Sequence, residues 1–261
     1  MGFEIRNGIL EKYTEERGVT EVTIPRFVTS IRNYAFSGCK SLTRIHIPDT
    51  VVSIGCFAFN ECESLTSMPI PNSVISMGDC AFRGCGNLQS VRISNRVTNI
   101  SNHAFAFCYC LKNVYISNGV NNIGDGAFDD CLNLRNIEIP SSVNGIGDYA
   151  FSGCRSLTSI QIPDSVTFIG EGAFANCENL TISVRASLIH IGKGAFKNCR
   201  EVVRRTAPRS QTSRSAPKST TPPPPKTAPK RVTPSSDSMW GCSCGMINTL
   251  NFCPNCGKKK P

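Results

Sequence analysis

Histidine and tryptophan are scarce in this sequence, with three histidines and one tryptophan in 261 residues. His46, His103 and His190 stand far apart and at no metal-ligand spacing. The motifs of phosphate-binding loops, zinc proteases and serine hydrolases do not occur. No run of about 18 apolar residues is present, and the opening ten residues lack the apolar core of a secretory signal. These absences favour a non-enzymatic protein with no membrane span and no Sec-type export signal.

Charge is low overall and unevenly placed. Only 18 % of the residues are charged, and the formal net charge is +9. Residues 1–199 carry 16 basic and 17 acidic side chains, whereas residues 200–261 carry 12 basic and 2 acidic ones. The positive charge therefore belongs to the last quarter of the chain and not to the part that can form a core.

The sequence is built from a repeat of 23 residues, which we call a coil. An Ala-Phe pair recurs eight times at this spacing, with one final interval of 22 residues. The repeated unit reads L-T-x-I-x-I-P-x-S-V-x-x-I-G-x-x-A-F-x-x-C-x-S. A fixed period of this length is typical of solenoid proteins, in which each unit buries its apolar face against its neighbours. The phenylalanines are Phe36, Phe59, Phe82, Phe105, Phe128, Phe151, Phe174 and Phe196.

Each coil predicts a short strand followed by a return segment. Leu42, Ile45 and Ile47 form the pattern L-x-x-I-x-I, whose alternation indicates a strand with one face inward. Proline or serine then ends the strand, because proline cannot donate to the interior of a ladder. Ala58 and Phe59 predict a short helical or 3₁₀ return. Stacked coils would form one parallel sheet along a face of the solenoid.

These units resemble the BspA-like leucine-rich repeat family, most closely over Leu157–Cys177, and the opening Phe3–Tyr13 is similar to the family's lead-in. The resemblance implies an α/β repeat solenoid over residues 1–200, with the parallel sheet on the concave face and an N-terminal hairpin-like cap at about 1–18. It also implies a binding role, often at cell surfaces or in signalling, but it does not imply an enzymatic activity. The last coil departs from the pattern, since it is one residue short and has Arg185 in place of proline.

Eleven cysteines lie within the repeats. Eight recur three residues after each repeat phenylalanine, which predicts buried thiols that act as small apolar fillers. Disulfides within this column, or metal-binding or reactive thiols, remain alternatives. Cys56, Cys80 and Cys110 stand outside the column and have no systematic partner. So many unpaired thiols indicate the cytoplasm, with non-Sec export to the cell surface as the alternative. The repeat cysteines are Cys39, Cys62, Cys85, Cys108, Cys131, Cys154, Cys177 and Cys199.

Residues 201–239 are expected to form a disordered linker. The segment holds eight prolines, many serines and threonines, and dispersed lysines and arginines. Its apolar content cannot offset the entropy lost on ordering, and its proline content favours polyproline II. The segment can serve simply as a soluble spacer. Weak binding to nucleic acid or an acidic surface, and docking of a proline-reading domain, are the alternatives.

Four cysteines near the end, in residues 240–261, predict a structural zinc ribbon. Cys242, Cys244, Cys253 and Cys256 form two close pairs, each followed by glycine. Four thiolates complete a tetrahedral Zn²⁺ site and leave no position for a catalytic water. A disulfide pair or an iron centre is the alternative. The motifs resemble the short C-terminal zinc-ribbon tails of many bacterial proteins, and zinc ribbons bind nucleic acid or protein.

The outward positions of the predicted strands vary from coil to coil, which suits a surface that reads a partner. Tyrosine and arginine are frequent interface anchors. The sequence thus predicts a monomeric cytoplasmic adaptor that binds protein through the solenoid and a tethered zinc ribbon. The alternatives are an idle solvated face, a nucleic-acid-associated protein that uses the linker and ribbon, and an exported surface adhesin. The candidate partner-binding residues are Arg92, Lys112, Tyr115, Arg135 and Glu138.

Overall fold

The computed structural model describes residues 2–186, 188, 190–205, 240–241 and 247–248. The chain divides into two compact units, Met1–Ser210 and Gln211–Pro261. The first unit is a solenoid of about eight turns built on parallel strands. Among the described residues every regular element is a β-strand. The predicted α/β class is therefore wrong in its helical part, and the fold is a β-solenoid.

The first ladder is formed by the L-x-x-I-x-I strands, as the alternation predicts. Its strands pair in parallel and in register within three groups, over residues 21–46, 90–138 and 159–205. In the third coil only a single bridge, from Arg44 to Ser67, continues the pairing. Pro69 lies in this stretch and has no N–H to give to the ladder. The strands are β3 (Glu21–Thr23), β5 (Arg44–His46), β8 (Ser90–Ile93), β10 (Asn113–Ile116), β12 (Asn136–Glu138), β14 (Ser159–Gln161), β16 (Thr181–Arg185) and β18 (Glu201–Arg205).

A second ladder, which the sequence does not predict, follows the V-x-x-I-G part of each coil. Except for the first, its strands are only two residues long, and the second residue of each faces the core. These strands also pair in parallel across coils, in two groups, the first of which ends at Met77 and the second of which begins at Asn99. They are β2 (Ile9–Tyr13), β4 (Ser30–Ile31), β6 (Ser53–Ile54), β7 (Ser76–Met77), β9 (Asn99–Ile100), β11 (Asn122–Ile123), β13 (Gly145–Ile146), β15 (Phe168–Ile169) and β17 (His190–Ile191).

The return segment around Ala-Phe is a chain of tight turns, not the predicted helix. In the second coil the N–H of Phe59 donates to the carbonyl of Ala81 in the next coil at 2.8 Å, whereas the N–H of Asn60 donates locally to Phe57 at 3.1 Å. Each return places two residues at left-handed φ, here Phe57 at 56° and Glu61 at 56°. Because alternate N–H groups bond across coils, an α-helical pattern cannot form.

The core is a stack of phenylalanines beside a column of thiols. The eight repeat phenylalanines stack with centroid separations from 5.0 to 6.1 Å. The thiol of Cys108 donates a hydrogen bond to the carbonyl of Phe82 at 3.3 Å, and six further repeat cysteines make the equivalent bond. All eleven described cysteines are free thiols. The repeat thiols are thus more than fillers, because they also bond the backbone.

An antiparallel hairpin closes the N-terminal end of the solenoid. Strand β1 (Phe3–Arg6) pairs with β2, and β2 continues in parallel with β4. The rings of Phe3 and Tyr13 lie 5.1 Å apart by their centroids, and Tyr13 stacks on Phe36 at 5.2 Å. The hairpin therefore extends the aromatic stack over the first coil.

At the other end the solenoid runs further than the sequence indicates. Strand β18 lies in residues that the sequence assigns to the linker, and it pairs with β16 over five register positions. Arg205 donates to the carbonyl of Ile162 at 2.6 Å and lies 3.3 Å from the carboxylate of Asp164. The predicted boundary at residue 200 is therefore corrected, because residues 201–205 belong to the solenoid.

In the second unit the described residues form two short strands, β19 (Trp240–Gly241) and β20 (Ile247–Asn248). They pair antiparallel, with Trp240 opposite Asn248 and Gly241 opposite Ile247. Apart from these four residues, the chain after residue 205, including most of the predicted linker, lies outside the described residues.

Candidate binding face

Three of the five predicted partner-binding residues lie side by side on the first ladder. Arg92, Tyr115 and Glu138 are register partners on β8, β10 and β12. All three side chains are exposed, and 54 % of the Tyr115 surface is accessible. Their exposure follows from the period of two in a strand, since the residues before them, such as Val114, face the core.

A cation–π contact joins the first two of these side chains. The guanidinium carbon of Arg92 lies 5.2 Å from the centroid of the Tyr115 ring. Such a contact at an exposed site contributes about 0.5–1 kcal/mol. It holds a long arginine and a broad aromatic ring together, so that less side-chain freedom is lost when a partner binds.

The remaining two predicted residues flank this group at the start of the strands. The N–H of Lys112 donates to the carbonyl of Gln89 at 2.9 Å, and the N–H of Arg135 donates to the carbonyl of Lys112 at 3.1 Å. Both side chains are exposed. With Arg92 they put three cations beside the single carboxylate of Glu138, so the middle of the face is positively charged.

A depression of about 530 Å³ surrounds Tyr115. Arg92 and Glu138 lie at its sides, and the lining is otherwise dominated by small polar residues of the same ladder. Amide and hydroxyl groups beside an exposed tyrosine are suited to hydrogen bonding with an extended peptide. The polar lining residues are Asn113, Ser117, Asn136 and Ser159. We call this surface, together with Lys112 and Arg135, the binding face.

The predicted zinc ligands Cys242, Cys244, Cys253 and Cys256 lie outside the described residues. Within the part of the chain that the structure describes, no group of three or more histidine, cysteine, aspartate or glutamate side chains could hold a metal ion. The eleven cysteines of the solenoid are accordingly not gathered into a metal site.

One more surface feature was missed by the sequence reasoning. A depression of about 600 Å³ crosses the edge of the solenoid near the return segments, with Glu61 and Glu63 on one side and Phe107 and Tyr109 on the other. Its floor contains Gly84 and Gly86 of the intervening coil, and Cys110 also lines it. We call it the glycine notch. Its signal in the sequence is Gly86, because the equivalent residue of every other coil has a side chain.

The structure defines the class of protein. Two parallel ladders, a stacked phenylalanine core and regularly repeated L-x-x-I-x-I strands are the features of a leucine-rich repeat solenoid. The chain belongs to the BspA-type leucine-rich repeat family, since the family described as "BspA type Leucine rich repeat region" matches residues 10–135 and 121–216. Leucine-rich repeat proteins are generally protein-binding scaffolds.

Solved leucine-rich repeat proteins have the same fold. A protein from Bacteroides ovatus ATCC 8483 is 31 % identical, with a TM-score of 0.59, over 74 % of this chain and 57 % of that one. A protein from Eubacterium ventriosum ATCC 27560 is 30 % identical, with a TM-score of 0.61, over 67 % of this chain and 47 % of that one. The T. pallidum leucine-rich repeat protein is 30 % identical, with a TM-score of 0.61, over 66 % of this chain and 82 % of that one.

The match to these proteins is partial in length. This chain spans about half the length of the first two solved relatives. No curated protein matches the chain by sequence. Among the residues that the structure describes, none forms a helix long and apolar enough to cross a membrane.

Proposed function

We propose that the chain is a non-enzymatic adaptor that binds a protein partner through the binding face of the solenoid. The observation that carries the proposal is the arginine–tyrosine pair at its centre. Arg92 and Tyr115 are of the residue types that most often anchor interfaces, and they are held together on a rigid ladder rather than on a loop. The surrounding cations favour a partner segment that carries carboxylate groups.

Binding measurements with matched variants test this role. Gln161 occupies the position of Arg92 and Tyr115 on strand β14, so glutamine suits this site on the ladder. The full chain carrying Arg92→Gln and Tyr115→Gln should fold and lose the partners that the wild type captures from cells producing the protein. The control is Phe168→Gln, which removes an exposed aromatic ring from the second ladder instead. Retention of the same partners by the double variant would contradict the proposal.

We also propose a structural zinc ion held by Cys242, Cys244, Cys253 and Cys256. Four thiolates in two close pairs are a donor set that Zn²⁺ prefers, and such a set supplies folding free energy to a short segment that has no core. The antiparallel pairing of β19 with β20 supports the proposal. Those strands flank residues 242–246, so the chain before and after the first cysteine pair is brought together. The module would provide a second contact, tethered to the first.

We propose the cytoplasm as the compartment and a monomer as the state in which the adaptor works. The eleven free thiols of the solenoid support the reducing compartment.

Binding of nucleic acid is the alternative function of the basic tail, residues 201–261. Measuring the binding of the full chain to DNA and RNA at several salt concentrations distinguishes nucleic-acid binding from protein binding by the tail. Phosphate contacts give an affinity that falls steeply as the salt concentration rises.

A further inference from the structure

The glycine notch is present because one coil lacks a side chain that the other coils have. Gly84 has a φ of +73°, a conformation that favours glycine. Gly86 has no such requirement, and a Cβ atom there would meet nothing closer than the Tyr109 Cδ2 atom at 3.8 Å. Neither backbone conformation nor packing therefore explains the glycine. The other coils carry Lys40, Glu63, Tyr109, Leu132, Arg155, Glu178 and Arg200 at this position.

Within the lining of the notch, the chain already holds one cation of its own, the Arg83 guanidinium. The Arg83 guanidinium carbon lies 4.8 Å from the centroid of the Phe107 ring, and its Nη1 atom lies 3.7 Å from Glu61 Oε1. Glu61 and Phe107 are two coils apart, which corresponds to about 10 Å at the usual strand spacing. A planar guanidinium fits that gap, with a carboxylate on one side and an aromatic ring on the other.

The carboxylate and the ring recur two residues further along each coil, without the arginine. Glu63 corresponds to Glu61, Tyr109 corresponds to Phe107, and the coil between them carries Gly86, which corresponds to Gly84. Among the described residues no cationic side chain lies over the Tyr109 ring. Glu63 does pair with Lys40 at 2.7 Å, yet both side chains are more than half exposed. Such surface pairs contribute little, so an incoming cation can replace Lys40 at small cost.

We propose that the glycine notch binds the guanidinium group of an arginine side chain on a protein partner. The guanidinium stacks on Tyr109 above Gly86 and pairs with Glu63. This site is separate from the binding face. It is built by the return segments, and its lining carries two carboxylates, Glu61 and Glu63, against the one cation Arg83, so its preference for charge is opposite. A partner that contacts both surfaces would need acidic and basic groups in a fixed arrangement, which would add specificity.

Protection of Cys110 reports occupancy of the notch. Cys110 lines the notch and is half-buried, and Cys56, also half-buried, lies outside it and serves as the internal control. The full chain is treated with iodoacetamide under reducing conditions, and alkylation at each cysteine is followed by mass spectrometry. The probe is a capped Gly-Arg-Gly peptide, with capped Gly-Lys-Gly and the neutral isostere Gly-citrulline-Gly for comparison. At a concentration about twice the Kd, the arginine peptide should slow the alkylation of Cys110 about threefold relative to the alkylation of Cys56.

The comparison peptides decide the chemistry. The citrulline peptide should not protect Cys110, and the lysine peptide should protect it less than the arginine peptide does. Equal protection by citrulline would overturn a charge-based site, and equal protection by lysine would overturn the assignment to guanidinium. No protection by the arginine peptide at about 200 mM, with ionic strength matched by salt in the control, would overturn the site itself, because contacts of about 1–2 kcal/mol in total correspond to a Kd of roughly 30–200 mM.

Variants then place the site. Gly86→Leu copies Leu132 at the same repeat position and should abolish protection by filling the notch. Arg155→Leu introduces the same side chain at the same position of a distant coil and should leave protection unchanged. Glu63→Gln keeps the shape and removes the charge, so it should weaken protection even if Gly86→Leu fails to fold. Full protection in folded Gly86→Leu or in Glu63→Gln would overturn the proposal.

Discussion

A Cβ atom on Gly170 would lie 2.4 Å from the backbone nitrogen of Asp148 in the preceding coil. The glycines after the second-ladder isoleucines at 55, 124, 147 and 192 meet the preceding coil equally closely. In these coils the glycine of the I-G pair therefore lies where two coils approach closely, whereas Arg32 and Ser101 show that two other coils leave room for a side chain at the same position.

Gly170→Ala should consequently lower the free energy of unfolding by about 1–3 kcal/mol, because the backbone of Asp148 must shift to make room for the added methyl group. Gly86→Ala is the matched control. It adds the same methyl group where there is room, and it should change stability by no more than about 1 kcal/mol, in the stabilising direction. Urea unfolding of the two variants and the wild type measures both. Equal stability of the two variants would contradict the steric account.

The phenylalanine stack should be most sensitive at its centre. Phe105 is fully buried between Phe82 at 5.2 Å and Phe128 at 5.6 Å, whereas Phe196 is only partly buried and stacks on Phe174 alone, at 6.1 Å. Phe105→Ala should destabilise the solenoid by about 3–5 kcal/mol. Phe196→Ala should lower the free energy of unfolding clearly less, because the Phe196 ring stacks on a neighbouring ring on one side only. The comparison is made by urea unfolding, and a larger effect at Phe196 would contradict the stacked-coil account.

The buried thiols should make stability fall at alkaline pH. Burial raises the pKa of Cys108 from 9.0 to about 12. Between these values the unfolded chain loses a proton that the folded chain keeps, so the free energy of unfolding falls as pH rises. The loss approaches about 1.4 kcal/mol per pH unit for each such thiol.

Cys108→Ala isolates this effect from the other titrating groups. The variant should be less stable than the wild type at pH 8, and the difference between the two should shrink as the pH approaches 10.5. Chemical unfolding at several pH values supplies the data. A difference in the free energy of unfolding that stays constant from pH 8 to 10.5 would show that burial does not raise the pKa of Cys108.

The tail should bind about one zinc ion per chain, because its four cysteines complete a tetrahedral set. Cys253→Ser should remove most of that zinc from the purified full chain, as measured by elemental analysis under reducing conditions. Cys110→Ser, which removes a solenoid thiol, is the control and should retain it. Zinc content unchanged by Cys253→Ser, or absent from the wild type, would contradict the ligand assignment.

The repeat made much of this fold predictable. The 23-residue period located the first ladder and the phenylalanine and cysteine columns, because an in-register repeat places equivalent residues above one another. The second ladder was missed because two-residue strands such as Ser53–Ile54 show no alternation. The return was mistaken for a helix because glycine stands at its left-handed positions in only some coils, such as Gly126 and Gly172, whereas Tyr34 and Phe57 occupy the same position in others.

The candidate sites were predictable to different degrees. Alternation alone put Arg92, Tyr115 and Glu138 on one exposed row, since register follows from the repeat. The ring contact between Arg92 and Tyr115 depends on side-chain rotamers, which no sequence pattern gives. The glycine notch needed a comparison of equivalent positions across coils, in which Gly86 stands out only as a missing side chain.

Photo-crosslinking from two exposed aromatic positions tests the binding face most directly. Tyr115 on the first ladder and Phe168 on the second are 54 % and 47 % exposed, and each can be replaced by a photoreactive phenylalanine in the full chain. In cells that produce the protein, irradiation should give discrete protein products from position 115 that disappear with Arg92→Gln, and no such products from position 168. The same products from both positions, or none from position 115, would contradict the account.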